Sequence, residues 1–218
     1  MLTEQQAIEN VVEIGHLMYE RRMVTTYEGN VSIKNGDRMY ITPTTYCKGR
    51  LVNDDIVILD LNGNRLSTKR SPSSEYLMHL EFYKLRPDIT CVVHTHSPYA
   101  TAHAICRKPI QSKSYFESIV MFDKIPVCDY GITASPAIFK GIAKYTSVSD
   151  LFLLANHGLV SIHADPFEAY YQAEAAEAIA KTLTIAHQLG GEYPLGQDDL
   201  KELYDLRMTA MGRPEIVL

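Results

Sequence analysis

No apolar run in these 218 residues reaches the ~18 that a membrane-spanning helix requires. The first residues, Met1-Leu2-Thr3-Glu4-Gln5-Gln6, contain neither the basic nor the apolar stretch of a secretory signal, so a cytoplasmic protein is expected. Positive charge is in deficit. Lys and Arg number 21 against 26 Asp and Glu, a net charge of -5, and the basic face that nucleic acid or an anionic membrane needs is missing. Cysteine is scarce: Cys47, Cys91, Cys106 and Cys128 form no CxxC pair, and two of them lie inside apolar runs. That pattern excludes a disulfide framework and suggests buried free thiols in a reducing compartment. Repeats, low-complexity segments and linkers are also absent. The remainder, 46% hydrophobic and 22% charged, is an ordinary globular composition. One domain over 1–218 is expected, with a flexible tail from about 192.

Helical and extended segments alternate along the chain. Thr3 with Gln6 is a capping-box signal for a helix to about Arg22. Gly29 to Ile41 reads as a hairpin turning at Asn35-Gly36 in type I′ geometry, and Ile56 to Leu66 as a second one turning at Asn62-Gly63. Ser71-Pro72 opens a helix that Arg86-Pro87 ends. A strand leading to His94 and His96 follows, then a short helix over Ala100–Ile105, an extended Ile125-Pro126-Val127, and a helix from Ser135-Pro136 to about Tyr145. Two strands flank the turn at Asn156-His157-Gly158. Asp165, Pro166 and Glu168 then start a long helix that ends at Gly190-Gly191, and a last helix spans about Asp198–Met211. The mixture predicts a largely antiparallel sheet covered by helices on both faces.

His94 and His96 are one residue apart on a strand, so both imidazoles share a face. That is half of a zinc-type site. His157, at a strand end just before Gly158, is the candidate third ligand, and three protein ligands with an open position is the catalytic arrangement. His16, His79, His103, His163 and His187 read as ordinary core or surface residues. Ser73 and Ser74 fall in the expected first turn of a helix, where hydroxyls either cap the helix or hold an anion. Glu75 beside them reads as a dipole partner, a fourth ligand or a general base.

Gly29-Asn30-Val31-Ser32, Ile41-Thr42-Pro43-Thr44, Pro72-Ser73-Ser74-Glu75, Val93-His94-Thr95-His96-Ser97 and Asn156-His157-Gly158, in this order and spacing, resemble the class II aldolase/adducin family, most closely its L-fuculose-1-phosphate aldolase branch. The resemblance covers about residues 5–190. It implies a three-layer α/β/α domain around a mainly antiparallel sheet. It implies a homotetramer of C4 symmetry with active sites between neighbouring subunits. One zinc per subunit would be held by His94, His96 and His157. Glu75 would be the carboxylate that moves the proton, where related sugar-phosphate 4-epimerases carry Asp. Tyr115, ten residues before Ile125, would reach the adjacent subunit's site. Gly29, Asn30, Thr44, Thr45, Ser73 and Ser74 would surround the phosphate.

The implied activity is that of a lyase splitting a ketose 1-phosphate into dihydroxyacetone phosphate and an aldehyde. Decarboxylation of a 3-oxo acid and epimerisation are the alternatives on the same fold. Adducin-type members bind partners without catalysis and need no metal triad, so the intact triad and Glu75 weigh against that role. Two departures bear on the head group. Thr45 stands where the family usually has glycine, and Glu28 adds negative charge beside Gly29-Asn30.

Overall fold

Thr3 opens helix α1 (Glu4–Glu20) with a reciprocal capping box: its hydroxyl accepts from Gln6 N at 3.1 Å, and Gln6 Oε1 accepts from Thr3 N at 2.8 Å. The structure, a computed structural model, describes residues 2–67, 69–132, 139–213 and 215–216. Strands β1 (Asn30–Asn35) and β2 (Arg38–Ile41) form the first hairpin. Its register pairs Asn35 with Arg38, so the central turn residues are Gly36 and Asp37, one position later than expected. Only Gly36 has positive φ, which rules out the type I′ turn, since that form needs two such residues.

The second expected hairpin forms only as a stub, with Asp60 N donating to Asn64 O at 2.9 Å and Leu66 N to Ile58 O at 2.8 Å. Strand β3 (Val57–Asp60) pairs with β2, while the returning arm makes a single bridge from Arg65 to Leu59. The Asp60 carboxylate accepts from both Asn62 N and Asn64 N, which closes the turn on itself and leaves β3 as the sheet edge.

Helix α2 (Tyr76–Leu85) starts at Tyr76, four residues after Pro72. Pro72 instead bridges Pro43, and the Ser73 amide donates to Thr42 O at 3.1 Å. Cross-strand pairing therefore claims the segment that an N1 proline would have made helical. Next come β4 (Cys91–Thr95), α3 (Pro98–Cys106) and β5 (Ile110–Gln111). A single π turn (Ser118–Phe122) leads to β6 (Lys124–Ile125) and β7 (Val127–Cys128). Pro126 divides the expected extended piece, since β6 pairs with β5 in a separate ribbon. The expected helix start at Ser135-Pro136 lies outside the described residues, and α4 is described over Phe139–Ile142. Then follow β8 (Leu151–Leu154), β9 (Leu159–His163), α5 (Pro166–Gln188) and α6 (Gln197–Met211).

The main sheet has seven strands in the order β3-β2-β1-β4-β9-β8-β7, antiparallel except for β7 with β8. Each face carries its own core. Val31, Ile33, Cys91, Val93 and Leu159 pack against α1, α3 and α5. Val92, Phe152, Val160 and Ile162 pack against α2 and the segment after β7. These are the three layers expected of the fold. Cys91 and Cys128 are buried free thiols. After residue 192 the chain is anchored at several points: Leu195 N donates to Lys113 O, and Arg207, 1% exposed, donates to Val120 O at 2.9 Å. No described helix is long and apolar enough to cross a membrane.

Candidate metal centre and substrate pocket

Strand β4 is the hub of the site. Its register sets His94 opposite Asn30 on β1 and Val160 on β9, on the face that α2 covers. His96 is one residue past the strand end, tied by its amide to Met23 O at 3.1 Å. His157 comes from the β8–β9 turn, where Asn156 has φ 59°. Gly158 is required there: a Cβ would stand 2.4 Å from Thr95 O and about 3 Å from the His96 and His94 rings. Gly29 has a similar role, since a Cβ would meet Val24 at 2.3 Å.

The three imidazoles converge with ring centroids 4.7 to 4.8 Å apart. Their candidate ligand atoms all lie within 4.8 Å of one another. His94 Nδ1 donates to Leu159 O at 3.0 Å, so Nε2 presents its lone pair to the centre. Glu28 Oε2 lies 3.7 Å from His96 Nδ1 and favours the proton there. The two Nε2 lone pairs then face each other at 3.0 Å. Glu75 adds its carboxylate, with Oε2 3.3 Å from His94 Nε2 and Oε1 3.4 Å from His157 Nε2. Glu75 Oε1 and His157 Nδ1 are buried without a hydrogen-bond partner. Zinc–nitrogen bonds of ~2.1 Å put tetrahedral ligands roughly 3.4 Å apart. The donor set therefore fits a divalent cation held by His94, His96 and His157.

All three rings are kept neutral, as ligands must be. Burial, then the neighbouring His157, pushes His94 well below the ordinary histidine value. Burial, then His94, pushes His96 down to about 3. Burial also lowers His157, against the pull of Glu75.

A second polar layer holds Glu75 in place. Asn30 Nδ2 donates to Glu75 Oε2 at 2.7 Å, and Asn30 Oδ1 accepts from His79 Nε2 at 2.5 Å. His79 Nδ1 meets Ser32 Oγ at 2.7 Å, which in turn meets Tyr83 OH at 2.7 Å. Sequence reading treated His79 as an ordinary residue. The signal was present in two spacings. Glu75, His79 and Tyr83 recur every four residues on one helix face, and Asn30 and Ser32 alternate on one strand face.

His79 is fully buried, and burial pushes it down to about 4 from an ordinary 6.5. Its folded pKa is depressed, so its contribution is intact above pH 6.5 and is lost as pH falls toward 4. The loss should reach roughly 2 kcal/mol by pH 5. In urea unfolding of the metal-free protein, His79→Gln should show a shallower acid loss than wild type by about that amount. Equal acid slopes would remove His79 as a contributor. With the relay cut, kcat/KM should also fall by about 10–100-fold.

Beside the triad, Tyr27, Glu28, Gly29, Asn30, Pro43, Thr44, Thr45, Lys48, Ser73, Ser74, Glu75, His96 and His157 line a cavity of about 230 Å³. All six residues expected around the head group meet here. Ser73 and Ser74 lie in the turn before α2, not in its first turn, and the Ser73 hydroxyl accepts from Glu75 N at 3.3 Å. Lys48 was not foreseen. A larger cavity, near 450 Å³, lies by Arg86, Asp150 and Arg213, and among the described residues it has no cluster of metal-ligating groups. Tyr115 is half-buried against the core on the α5 side and does not line its own chain's pocket.

Residues 9–184 match the Class II Aldolase and Adducin N-terminal domain. An L-fuculose phosphate aldolase of Methanococcus maripaludis is 37% identical over 180 residues, covering 83% of this chain and 97% of the relative. A 3-oxo-tetronate 4-phosphate decarboxylase of Haemophilus influenzae is 32% identical over 186 residues, covering 83% and 88%. Among solved structures, an L-fuculose 1-phosphate aldolase superposes with a TM-score of 0.83 at 27% identity, covering 94% of this chain and 97% of that one. YgbL of Klebsiella pneumoniae, titled an aldolase, epimerase or decarboxylase, reaches 0.81 at 28% identity, covering 93% and 100%. With this match over most of its length and an intact histidine triad, the chain belongs to the class II aldolase and adducin family and is built as one of its lyases.

Proposed function

We propose that the protein is a zinc-dependent aldolase that cleaves a ketose 1-phosphate, of the L-fuculose-1-phosphate type, into dihydroxyacetone phosphate and an aldehyde. The observation that carries this reading is Glu75 itself. Its carboxylate faces the triad from 3.3 Å, is oriented by Asn30, and closes the wall of the cavity that holds Ser73, Ser74 and Thr44. Zinc, when bound by His94, His96 and His157, would supply Lewis-acid stabilisation of the enediolate charge that cleavage develops.

The remaining steps belong to the chain. The hydroxyls of Ser73, Ser74 and Thr44 orient the head group, and Asn30 and Gly29 shape the wall beneath it. Glu75 moves the proton between the enediolate carbon and solvent. Tyr115 of an adjacent copy donates to the departing aldehyde oxygen, which explains why it is remote from its own chain's pocket. This arrangement assumes a C4 homotetramer working in the cytoplasm.

Decarboxylation of a 3-oxo sugar acid phosphate is the second reading. It draws support from the Haemophilus relative and from Thr45, which is held at φ 49° where the family usually has glycine. A panel of sugar phosphates and 3-oxo acids, run with the zinc-loaded protein and scored by product, separates the two. Release of dihydroxyacetone phosphate with an aldehyde is the expected result. Carbon dioxide without an aldehyde overturns it.

A further inference from the structure

Six buried side chains carry Asp, Glu, Lys or Arg charge among the described residues, and five of them have partners. Asp55 meets Arg70, and Asp150 meets Arg86 and Arg213. Glu75 meets Asn30, Asp123 accepts from Tyr204, and Arg207 donates to Val120 O. Lys48 is the exception. It is 2% exposed and its ammonium makes no hydrogen bond or ion pair among the described residues, while the longer-range pull of the cavity carboxylates Glu28 and Glu75 acts on its charge. Lysines this enclosed are rare without a direct partner, because desolvation disfavours the charge.

Lys48 begins a short 3-10 turn (Lys48–Arg50), and its Cβ packs over Gly15 of α1. Beyond that contact the residue forms part of the cavity wall beside Thr44, Ser73 and Ser74, where Glu28 and Glu75 act on its charge. The same loop shows a second irregularity. Thr45 is held at φ 49°, a left-handed conformation that is an outlier for a β-branched residue. Strain of that kind persists where surrounding structure enforces it, most often around ligands. A wall carrying the Thr45 side chain cannot bring its backbone as near to an anion as glycine would.

Taking the anion-binding pocket of the proposed function as given, we infer that Lys48 is the charged contact for the substrate's phosphate monoester and sets the enzyme's preference for phosphorylated substrates. Its three N–H donors and the hydroxyls of Thr44, Ser73 and Ser74 match a group with three acceptor oxygens and up to two negative charges. A carboxylate, with two oxygens and one charge, leaves part of that set unused.

The test uses zinc-loaded wild type, Lys48→Met and Lys48→Gln, with inorganic phosphate as the probe and acetate as the comparison. Calorimetry should show phosphate binding to wild type and at least tenfold weaker binding to both variants. Phosphate should raise the thermal midpoint of wild type and leave that of Lys48→Met unmoved. Without phosphate, the Met variant should melt no lower than wild type, since desolvation of the Lys48 charge outweighs its attraction to Glu28 and Glu75. Equal phosphate affinity in all three proteins, no phosphate binding to wild type, or acetate binding as tightly as phosphate would each overturn the assignment. None of these measurements involves turnover. Carbon dioxide as the reaction product would therefore defeat the aldolase reading and leave this result standing.

Discussion

Glu75→Gln should retain stoichiometric zinc and lose turnover by on the order of 10³-fold, within the range that positioned general acid–base groups supply. The amide is isosteric with the carboxylate, so the Asn30 contact at 2.7 Å and the packing of the pocket wall should survive, with the Gln oxygen accepting from Asn30 Nδ2 while Asn30 Oδ1 keeps its bond from His79. The three histidines remain, which keeps the metal. What disappears is a proton carrier. A carboxylate and a carbon acid beside a ketone differ by on the order of ten pKa units, roughly 14 kcal/mol at about 1.36 per unit. Stabilisation of the enediolate must therefore come first, and the carboxylate contributes only once that gap has closed. Removing Glu75 should leave slow solvent exchange in its place, so the residual rate should stay measurable above a metal-free control. Metal analysis beside steady-state rates decides the matter. Near-normal turnover in the Gln variant would remove Glu75 from the proton path, and loss of zinc would recast it as a ligand.

The convergence of the three histidines, and of the six residues expected around the head group, was legible because each lies in a short run with a strong local signature. His94 and His96 gain meaning from strand alternation alone, and Gly158 from the need for close approach at a turn. The α2 boundary was misread because Ser71-Pro72 satisfies the local rule for a helix start, while the segment gains more by bridging Pro43 and donating from Ser73 N to Thr42 O. Such pairing depends on a partner about thirty residues away, which no local rule contains. The second hairpin is short for the opposite reason: a local contact, the Asp60 carboxylate closing its own turn, takes up the Asn62 and Asn64 amides next to the one bridge that forms. Lys48 was invisible because burial is a tertiary property. In the sequence it is one of 21 Lys and Arg residues, and only the fold shows that it is enclosed in the cavity wall, its ammonium without a hydrogen bond or ion pair among the described residues.

His157→Ala should abolish activity to background and leave the metal-free fold almost untouched, and the contrast with His94 explains why. The His94 ring is fully buried and donates to Leu159 O, so its removal both opens a cavity and forfeits that hydrogen bond, a loss of about 2–5 kcal/mol that would mask any metal effect. His157 is half-buried at the pocket mouth and its Nδ1 has no partner, so truncation forfeits little packing and no hydrogen bond. The metal-free variant should stay within about 1 kcal/mol of metal-free wild type. The metal term then stands alone. At a zinc concentration near 1,000 times its Kd, binding adds about 4.1 kcal/mol to wild-type stability. Losing one of three ligands should weaken binding beyond the ~10–100-fold that outer-shell changes cost, which removes most of that gain. Thermal melts with zinc and with chelator read this directly: wild type should shift by several degrees and the variant hardly at all. Equal shifts in both proteins would mean that the metal is held without His157, and that the turn built by Asn156 and Gly158 has some other purpose.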